Sequence, residues 1–477
     1  MGGLFSSLNS SLQALQAFEQ ALNVSQNNVS NSSTPGYARQ TIQLEAQPFD
    51  LAGGQGGGVK AGAVQSTDNP YADQAVRDQL AQQGNYNAQN AALGNIQSLF
   101  DVSGQTGFIG ALNNLFQSFS AWSATPSSAA AQQSVLTSAQ AVAQSFQSTA
   151  ASLSQTTTNL NQQIVSNVQQ INSLAAAIQQ DNLQIQQSNT PNSQDAGLEA
   201  NLQANLQSLS QFADTTVTFA PNGTATVLLG GQTPLVIGST LYSIQASFTD
   251  PTAGPNPGGV NNAHILNSTG QDITGQISQG SLAGLLTVRN TVLPSLQGSG
   301  TQQGALNQLA KSVADSVNSI LTSAQTTTGA AGIPLFTYNA ASPVDVAQTL
   351  AVNPNITPST LAASNPGPPV VSNGAALALA NLGESNNPAY QINGQSIVQF
   401  AAGAATLVGQ QASDAQNGVN LHTTLLTQAQ ALQTQISGVS LDQEAIQVME
   451  LQKGYQAAGK MVTVIVSLTN MLINMVT

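Results

Sequence analysis

Apolar residues recur with a helical period at both ends of the chain. In the first thirty residues they follow in steps of four and three, together with two serines: Leu4, Leu8, Ser11, Leu15, Phe18, Leu22, Ser25 and Val29. In the last thirty residues the same spacing holds: Val448, Leu451, Tyr455, Ala458, Val462, Ile465, Leu468, Leu472 and Met475. This spacing places each set on one face of a helix. Because each face needs a cover and the two are similar in length, the pattern predicts that the terminal helices pair as a coiled coil.

A turn follows the first helix. Pro35 disfavours helical backbone at Thr34, and Gly36 suits the positive-φ position of a type II turn. Beyond this turn, the alternating residues Thr41–Glu45 predict a short strand, and the glycines from Gly53 to Gly58 predict a flexible break.

The last helix has a marked beginning. Ser440 and Gln443 have the spacing of a capping box, in which the two side chains satisfy backbone N–H groups at a helix start. Asp442 and Glu444 then place negative charge in the first turn, where the helix dipole favours it. The sequence therefore predicts a capped helix from about Ser440 to the carboxyl end.

Between the two ends, most of the pattern is helical. From Ser127 to about Gln187 the chain has no proline or glycine, and apolar residues keep a helical period throughout. A single helix of that length measures roughly 90 Å, so it needs a long partner. Pro191 predicts a break after it, and shorter helical patterns continue to about Ile436.

The pattern changes between 214 and 272. Short runs at Val217–Phe219 and Thr226–Leu228 flank Pro221-Asn222-Gly223, which is a strong hairpin signal. Further short apolar runs continue to about Phe248, and the stretch from Pro251 to Gly259 is rich in proline and glycine. This region is predicted to be a small β domain inserted into the helical one.

Together these patterns predict a mainly α fold with a small β insertion, in an elongated, nested architecture. The paired terminal helices stand outermost in chain order, a helical rod comes next, and the β insertion is innermost. The predicted segments are 1–50 (first half of the terminal coiled-coil domain), 51–213 (rod, first part), 214–272 (β domain), 273–436 (rod, second part) and 437–477 (second half of the coiled-coil domain).

Composition narrows the possible functions. Only 6% of the 477 residues are charged, whereas 41% are hydrophobic, so the chain can fold although its polar surface is mostly uncharged. The net charge of −13 with seven Lys and Arg argues against binding nucleic acid, which needs clustered positive charge. The chain has no cysteine, which excludes disulfides and thiolate metal sites.

Neither a Sec signal nor a membrane span is predicted. The start, Met1–Phe5, has no basic region and no continuous apolar run. The most apolar tract, Met461–Val476, is interrupted by polar residues and falls short of the ~20 apolar residues that a span requires.

No catalytic or cofactor chemistry is predicted. Gly454–Lys460 matches the G-x4-G-K spacing of a phosphate-binding loop, but it lies within a helical stripe and Met461 follows in place of Ser or Thr. His264 and His422 have no ligand at metal-binding spacing beside them. We therefore expect no enzyme activity, no cofactor and no metal.

Two terminal motifs carry a resemblance to a known family. Residues 27–40 read NNVSNSSTPGYARQ, which resembles the NNIANxNTPGYSRQ signature of flagellar axial proteins. Residues 438–445 read GVSLDQEA and residues 452–460 read QKGYQAAGK, which resemble the start and middle of the carboxyl-terminal helix in the hook-associated protein 1 family. The resemblance is firm at both ends and looser inward, through Gly56–Val59 and Gly280–Leu286.

The resemblance implies a structural subunit of the bacterial flagellum, at the junction between hook and filament. It implies that the terminal helices line the inner tube while the rod and the insertion project outward. Implied partners are further copies of the chain, the hook protein, the next hook-associated junction protein and an export chaperone, without nucleic acid and without membrane insertion. It also implies an extracellular location reached through the flagellar type III apparatus without a cleaved signal.

On this interpretation, the predicted functional residues are interfacial. Those of the coiled-coil and assembly interface are Leu4, Leu8, Leu15, Phe18, Leu22, Val29, Leu441, Leu451, Tyr455, Val462, Ile465 and Leu472. Those of the signature turn are Thr34, Pro35, Gly36, Tyr37 and Arg39, with Arg39 expected to contact a neighbouring subunit. Gly454 and Gly459 stand where the family has Ala or Ser, and each lowers helix propensity by ~1 kcal/mol, which predicts a softer helix.

Two other functions remain open at this point. The hook protein shares the amino-terminal signature, although the carboxyl-terminal motif and the long helical middle favour hook-associated protein 1. A secreted coiled-coil adhesin or effector is supported by helical periodicity alone.

Overall fold

The computed structural model describes residues 2–34, 36–50, 55–100, 106–188, 195–249, 262–300 and 302–476. Helices dominate these ranges, so the predicted mainly α fold is confirmed. The helices are α1 (Gly2–Ser30), α2 (Pro70–Gln97), α3 (Gly107–Ala124), α4 (Ala129–Ser188), α5 (Ala196–Phe212), α6 (Gly280–Thr287), α7 (Leu293–Gln297), α8 (Ala305–Thr322), α9 (Val346–Thr349), α10 (Gly374–Ala380), α11 (Ile397–Ser437) and α12 (Leu441–Val476).

The strands pair in antiparallel fashion; β1 and β2 have 11 and 12 residues, and the other described strands are short. A hairpin of β1 and β2 follows α1, and a four-stranded sheet has the order β3-β4-β5-β6. The remaining strands pair two by two, β7 with β8, β9 with β10 and β11 with β12. Their bounds are β1 (Gln40–Asp50), β2 (Gln55–Ser66), β3 (Thr215–Phe219), β4 (Ala225–Leu229), β5 (Thr233–Ile237), β6 (Thr240–Leu241), β7 (Gln245–Ser247), β8 (His264–Leu266), β9 (Gly298–Ser299), β10 (Gln302–Gln303), β11 (Phe336–Thr337) and β12 (Ala351–Val352).

Several predicted elements agree closely with the structure. The stretch without proline or glycine forms one helix, α4, of 60 residues. The predicted hairpin lies at β3 and β4, with Phe219 paired to Ala225. The predicted breaks at Pro191 and from Pro251 to Gly259 lie outside the described residues.

Contacts divide the chain into two compact units. Unit 1 consists of Met1–Ala81, Ile171–Tyr242 and His422–Thr477, and it holds both terminal helices, the β1–β2 hairpin and the four-stranded sheet. Unit 2 consists of Gln82–Gln170 and Ser243–Leu421. The division at Tyr242 separates β3–β6 from β7 and β8, so the strands predicted between 214 and 272 form two sheets in two units. The predicted segments follow chain order and remain predictions.

An aromatic cluster lies in the core of unit 2. The Phe100 and Phe108 rings meet edge to face with centroids 5.5 Å apart, and Phe146 of α4 lies 5.4 Å from Phe108. Trp122 is fully buried on α3 and donates its indole N–H to the carbonyl of Pro126 at 3.1 Å. The lone tryptophan is therefore a core residue.

The predicted flexible break at Gly53–Gly58 is partly wrong. Residues 51–54 lie outside the described residues, whereas Gly56, Gly57 and Gly58 belong to strand β2, in which Gly56 pairs with Phe49 and Gly58 with Gln47 of β1. The glycines serve packing, because Ser10 of α1 donates its hydroxyl to the Gly57 carbonyl at 2.8 Å. A Cβ at Gly58 would lie 2.5 Å from the Ser10 Oγ, so only glycine lets the helix approach the strand this closely.

Candidate assembly site at the paired terminal helices

The two terminal helices pack against each other within unit 1, which confirms the predicted pairing. They run antiparallel. The backbone N–H of Arg39, just beyond α1, donates to the carbonyl of Ser437 just before α12, at 2.8 Å. Earlier in α1, the Phe18 ring lies against Gly454, further along α12.

The structure places the predicted interface residues at different depths. On α1, five of them are half-buried and one is exposed: Leu4, Leu8, Leu15, Phe18 and Leu22, and Val29. On α12, Leu451 and Ile465 are buried and Val462 is half-buried. The other three, Leu441, Tyr455 and Leu472, are 54%, 41% and 38% exposed, which is less covered than expected for one interface. Their role in assembly stays a prediction.

The deepest residues of α1 are small or polar, and the sequence analysis placed only Ser25 among them on the predicted stripe. Ala17, Ala21, Ser25 and Asn28 are each at most 2% exposed. Ala17, Ala21 and Asn28 lie beside the predicted stripe because α1 packs against both α12 and the β1–β2 hairpin. A helix covered on two sides buries small residues where the neighbouring backbones come closest.

The signature turn has the predicted geometry wherever it is described. Gly36 has φ of +77°, and the N–H of Tyr37 donates to the carbonyl of Thr34 at 3.2 Å, as expected for a type II turn. Pro35 lies outside the described residues. A Cβ at Gly36 would lie 2.6 Å from the carbonyl oxygen of Ala200, so α5 also requires glycine here.

Asn28 holds the turn closed, and the sequence analysis missed this role. Its side chain is buried, donates to the carbonyl of Gln40 at 2.8 Å and accepts from the N–H of Gln40 at 2.9 Å. The Tyr37 hydroxyl donates to the same Asn28 oxygen at 2.9 Å. A signal was present, because Asn28 stands in the quoted signature and a buried Asn on a helix needs partners.

Arg39 has a partner in its own chain. Its Nε donates to Glu444 Oε1 at 2.7 Å, and its second terminal nitrogen donates to Gln447 Oε1 at 3.0 Å. The Glu444 side chain is fully buried, and its Oε2 has no hydrogen-bond partner among the described residues. This intrachain pair ties the turn to the start of α12. The expected contact of Arg39 with a neighbouring subunit stays a prediction.

Burial and charge affect Tyr37 as well. Burial, with the negative charge of Glu444 as a second cause, raises the pKa of Tyr37 to about 12. The phenol therefore stays protonated at neutral pH and keeps donating to Asn28. Asn28, Tyr37, Arg39 and Glu444 form one connected polar cluster at the junction of α1, β1 and α12.

The structure gives two further findings on candidate chemistry. In the ranges searched, no group of three or more His, Asp or Glu side chains could hold a metal ion. Within the helical stretch Ile397–Met475, the most apolar 18-residue segment has a mean hydropathy of 1.3, and 6% of that segment is buried. By length and composition, this stretch could cross a membrane. A single such helix is weak evidence, since exposed apolar faces also serve helix packing, and the absence of membrane insertion remains a prediction.

Comparisons with known proteins first define the class and then the family. Residues 8–37, which contain most of α1 and the turn, match the family described as flagella basal body rod protein, so this end of the chain is similar to a class of flagellar proteins. Residues 93–336 match the family described as flagellar hook-associated protein FlgK helical domain. That match spans more than half of the 477 residues, and the chain belongs to the flagellar hook-associated protein FlgK family. This is a family of structural proteins of the flagellum, at the junction between hook and filament.

Two relatives agree with this membership. The chain is 26% identical over 509 aligned positions to flagellar hook-associated protein 1 of Bacillus subtilis (strain 168), and the alignment covers 99% of each chain. The solved structure of the flagellar hook junction protein FlgK from Burkholderia pseudomallei matches with a TM-score of 0.64 at 16% identity. That match covers 76% of this chain and 100% of the solved one, so the two share a fold.

Proposed function

We propose that the paired terminal helices join this chain to further copies of itself in the hook–filament junction. The observation that carries this proposal is the uncovered surface of α12. Twelve large apolar side chains on this helix are exposed, among them Met461, Val466 and Met475. Soluble monomers rarely leave such a contiguous apolar patch in water, so the surface favours a protein partner.

The composition supports assembly of like subunits. With 6% charged residues, neighbouring copies of an acidic chain approach each other with little repulsion from their surfaces. The junction would also contact the hook protein on one side and the next hook-associated junction protein on the other. Before assembly, an export chaperone would cover the apolar face of α12.

The assembled chain would lie outside the cell, in the flagellum, after passage through the flagellar export apparatus. Its role there would be mechanical and not catalytic. Family membership and the exposed apolar helix support this location and role.

A deletion strain tests the proposal. The gene is deleted in the source bacterium, flagella are examined by electron microscopy, and flagellin is measured in the culture medium. We expect hooks of normal length without filaments and flagellin lost to the medium, with both defects reversed by the unaltered gene.

Two other outcomes would contradict the proposal. Absent hooks would assign the chain to the hook itself, whereas intact and motile flagella would leave only the secreted coiled-coil function.

A further inference from the structure

The α1–α12 pair leaves a second face of α1 uncovered. Phe5, Leu12 and Glu19 follow each other at intervals of seven residues, so they lie along one side of the helix. Phe5 is 60% exposed, Leu12 is 44% exposed, and Glu19 is exposed as well. This face is apolar toward the start of the helix and acidic further along.

A matching face lies on α12. Ala457, Val464 and Met471 are also seven residues apart and exposed, with 54% exposure for Val464 and 60% for Met471. Lys453 and Lys460 flank Ala457 on the same side of the helix and are exposed. This face is apolar toward the end of the helix, basic around Ala457, and reaches the exposed Glu450 seven residues further back.

The charges on these faces are unusual for this chain. Its seven basic residues are all within the described ranges, and five of them form ion pairs or hydrogen bonds there. The other two, Lys453 and Lys460, form neither among the described residues, and the same holds for Glu19. In a chain with a net charge of −13, the two unpaired lysines are the natural partners for an acidic side chain.

We propose that the uncovered face of α1 in one copy packs antiparallel against the uncovered face of α12 in a second copy. In this register Phe5 lies opposite Met471, Leu12 lies opposite Val464, and Glu19 lies opposite Ala457, between the two lysines. The inference rests on the proposed function, because it names the contact by which the copies of the chain join.

The repeat and the charges select this register. Both faces repeat every seven residues, so one antiparallel alignment brings apolar residues together at two levels and opposite charges at the third. A parallel alignment that keeps Leu12 at Val464 would place Glu19 at Met471 and Phe5 at Ala457 between the lysines. It would therefore desolvate charges against apolar side chains.

The new contact continues the one already present in the chain. The buried face of α12, through Leu451 and Ile465, is covered by α1 of the same copy. The face of Val464, which directly precedes Ile465 and so lies about 100° further around the helix, would be covered by α1 of the next copy. Each terminal helix then has two partners, so the contact can extend from copy to copy.

Disulfide trapping tests the register, and the absence of cysteine from the chain makes the test clean. Leu12→Cys and Val464→Cys variants are made in separate full-length chains and produced together in cells that lack the natural gene. Because each chain carries one cysteine, a mixed disulfide can only join two copies. We expect this disulfide on oxidation of the cells.

A matched control uses Asn23→Cys with Val464→Cys. Asn23 is also exposed on α1, but the proposed register displaces it from position 464 by eleven residues, about 16 Å along the helix axis. That distance is beyond the reach of a disulfide, so this pair should give little product. Equal yields from both pairs, or a higher yield from the control, would overturn the register.

Charge reversal provides a second test, in which the same disulfide is measured in chains with altered charges. Glu19→Lys should reduce the Leu12–Val464 product several-fold, and so should Lys453→Glu combined with Lys460→Glu. All three reversals together should restore it, because the opposite charges again face each other. An unchanged product in the single reversal, or no recovery in the triple one, would contradict the proposal.

Different results would contradict the packing of α1 on α12 and the function at the junction. If filaments grow with the Leu12→Cys and Val464→Cys chains but no mixed disulfide forms, the packing proposal is wrong while the junction function stands. If cells lacking the gene still build motile flagella, the proposed function is wrong whatever disulfides form.

Discussion

Helices α8 and α12 differ in how much of their surface this chain covers. Helix α8 buries ten of its 18 residues, with an apolar stripe that includes Val313 and Val317. Helix α12 is twice as long, yet only Glu444, Leu451 and Ile465 are buried in its described part. Both sequences show helical periodicity, so the stripe predicts a helix but does not tell whether the same chain or another one covers it.

The largest difference in stability between α8 and α12 should appear when a valine in each helix is replaced by aspartate. Val317→Asp places a charge where the native side chain has no exposed surface, and we expect the free energy of unfolding to fall by about 4 kcal/mol or more. Val464→Asp on α12 should change the free energy of unfolding of the monomer by less than about 0.5 kcal/mol, because that side chain is in water. Urea denaturation followed by circular dichroism measures both values.

Filament growth shows whether the exposed face of α12 serves assembly. Val464→Asp should abolish filament growth in cells, although it leaves the monomer folded. A strong destabilisation of the monomer by Val464→Asp would show that α12 is covered within its own chain, and the contrast between the two helices would be lost.

A second prediction concerns the ion pair that ties the turn to α12. Arg39→Ala leaves Glu444 buried without a cation, and we expect a loss of ~3 kcal/mol of stability, at the low end for buried pairs because Arg39 is 24% exposed. Adding Glu444→Gln should recover part of the loss, since it removes the unpaired charge. The exposed pair of Lys60 and Glu45 is the matched control, and Lys60→Ala should cost under about 1 kcal/mol.

Hydrogen exchange of the α12 amides reports this loss locally. Faster exchange in Arg39→Ala than in Lys60→Ala is the expected result. Equal exchange in the two variants would mean that the Arg39 pair does not hold the start of α12.

The sequence predicted the helices and the turn well, because these depend on neighbours in the chain. The length of α4 follows from the lack of proline and glycine, and the positive φ of Gly36 follows from the type II turn. The pairing of the terminal helices followed from two stripes of similar length.

The polar contacts that join distant parts of the chain could not be predicted in the same way. Glu444 was assigned a role in the helix dipole, yet its partner Arg39 lies 405 residues away in sequence. Asn28 was part of a recognised motif, but its bonds to Gln40 depend on how the turn folds back. Ala17 and Ala21 are buried because α1 also packs against the β1–β2 hairpin. The periodicity of α1 does not predict this second contact.

A third prediction uses the pH dependence of the same polar cluster. The pKa of Tyr37 is about 12 in the folded chain against an ordinary value of 10.0, so folding favours the protonated phenol. Its contribution is fully present below pH 10 and is lost as the pH rises through 12. When the pH is raised from about 9 to about 11.5, the urea midpoint should therefore decrease more in the natural chain than in Tyr37→Phe. The phenylalanine variant has no phenol proton to lose at this position. An equal fall in both would show that Tyr37 is not protected by its surroundings.

The smallest effect concerns the two glycines of α12, which the sequence analysis treated alike. A Cβ at Gly454 would lie 2.9 Å from the Phe18 ring of α1, whereas a Cβ at Gly459 would meet nothing within 4 Å. Gly459→Ala should therefore stabilise the helix by up to ~1 kcal/mol, the full gain in helix propensity. Gly454→Ala should gain less or even lose stability, because the ring has to move. The difference between the two urea midpoints measures the Phe18 contact, since the chemical change is the same at both positions. If both variants gained the same stability, Gly454 would only lower the helix propensity of α12, as the sequence suggests, and its lack of a side chain would not be needed to accommodate Phe18.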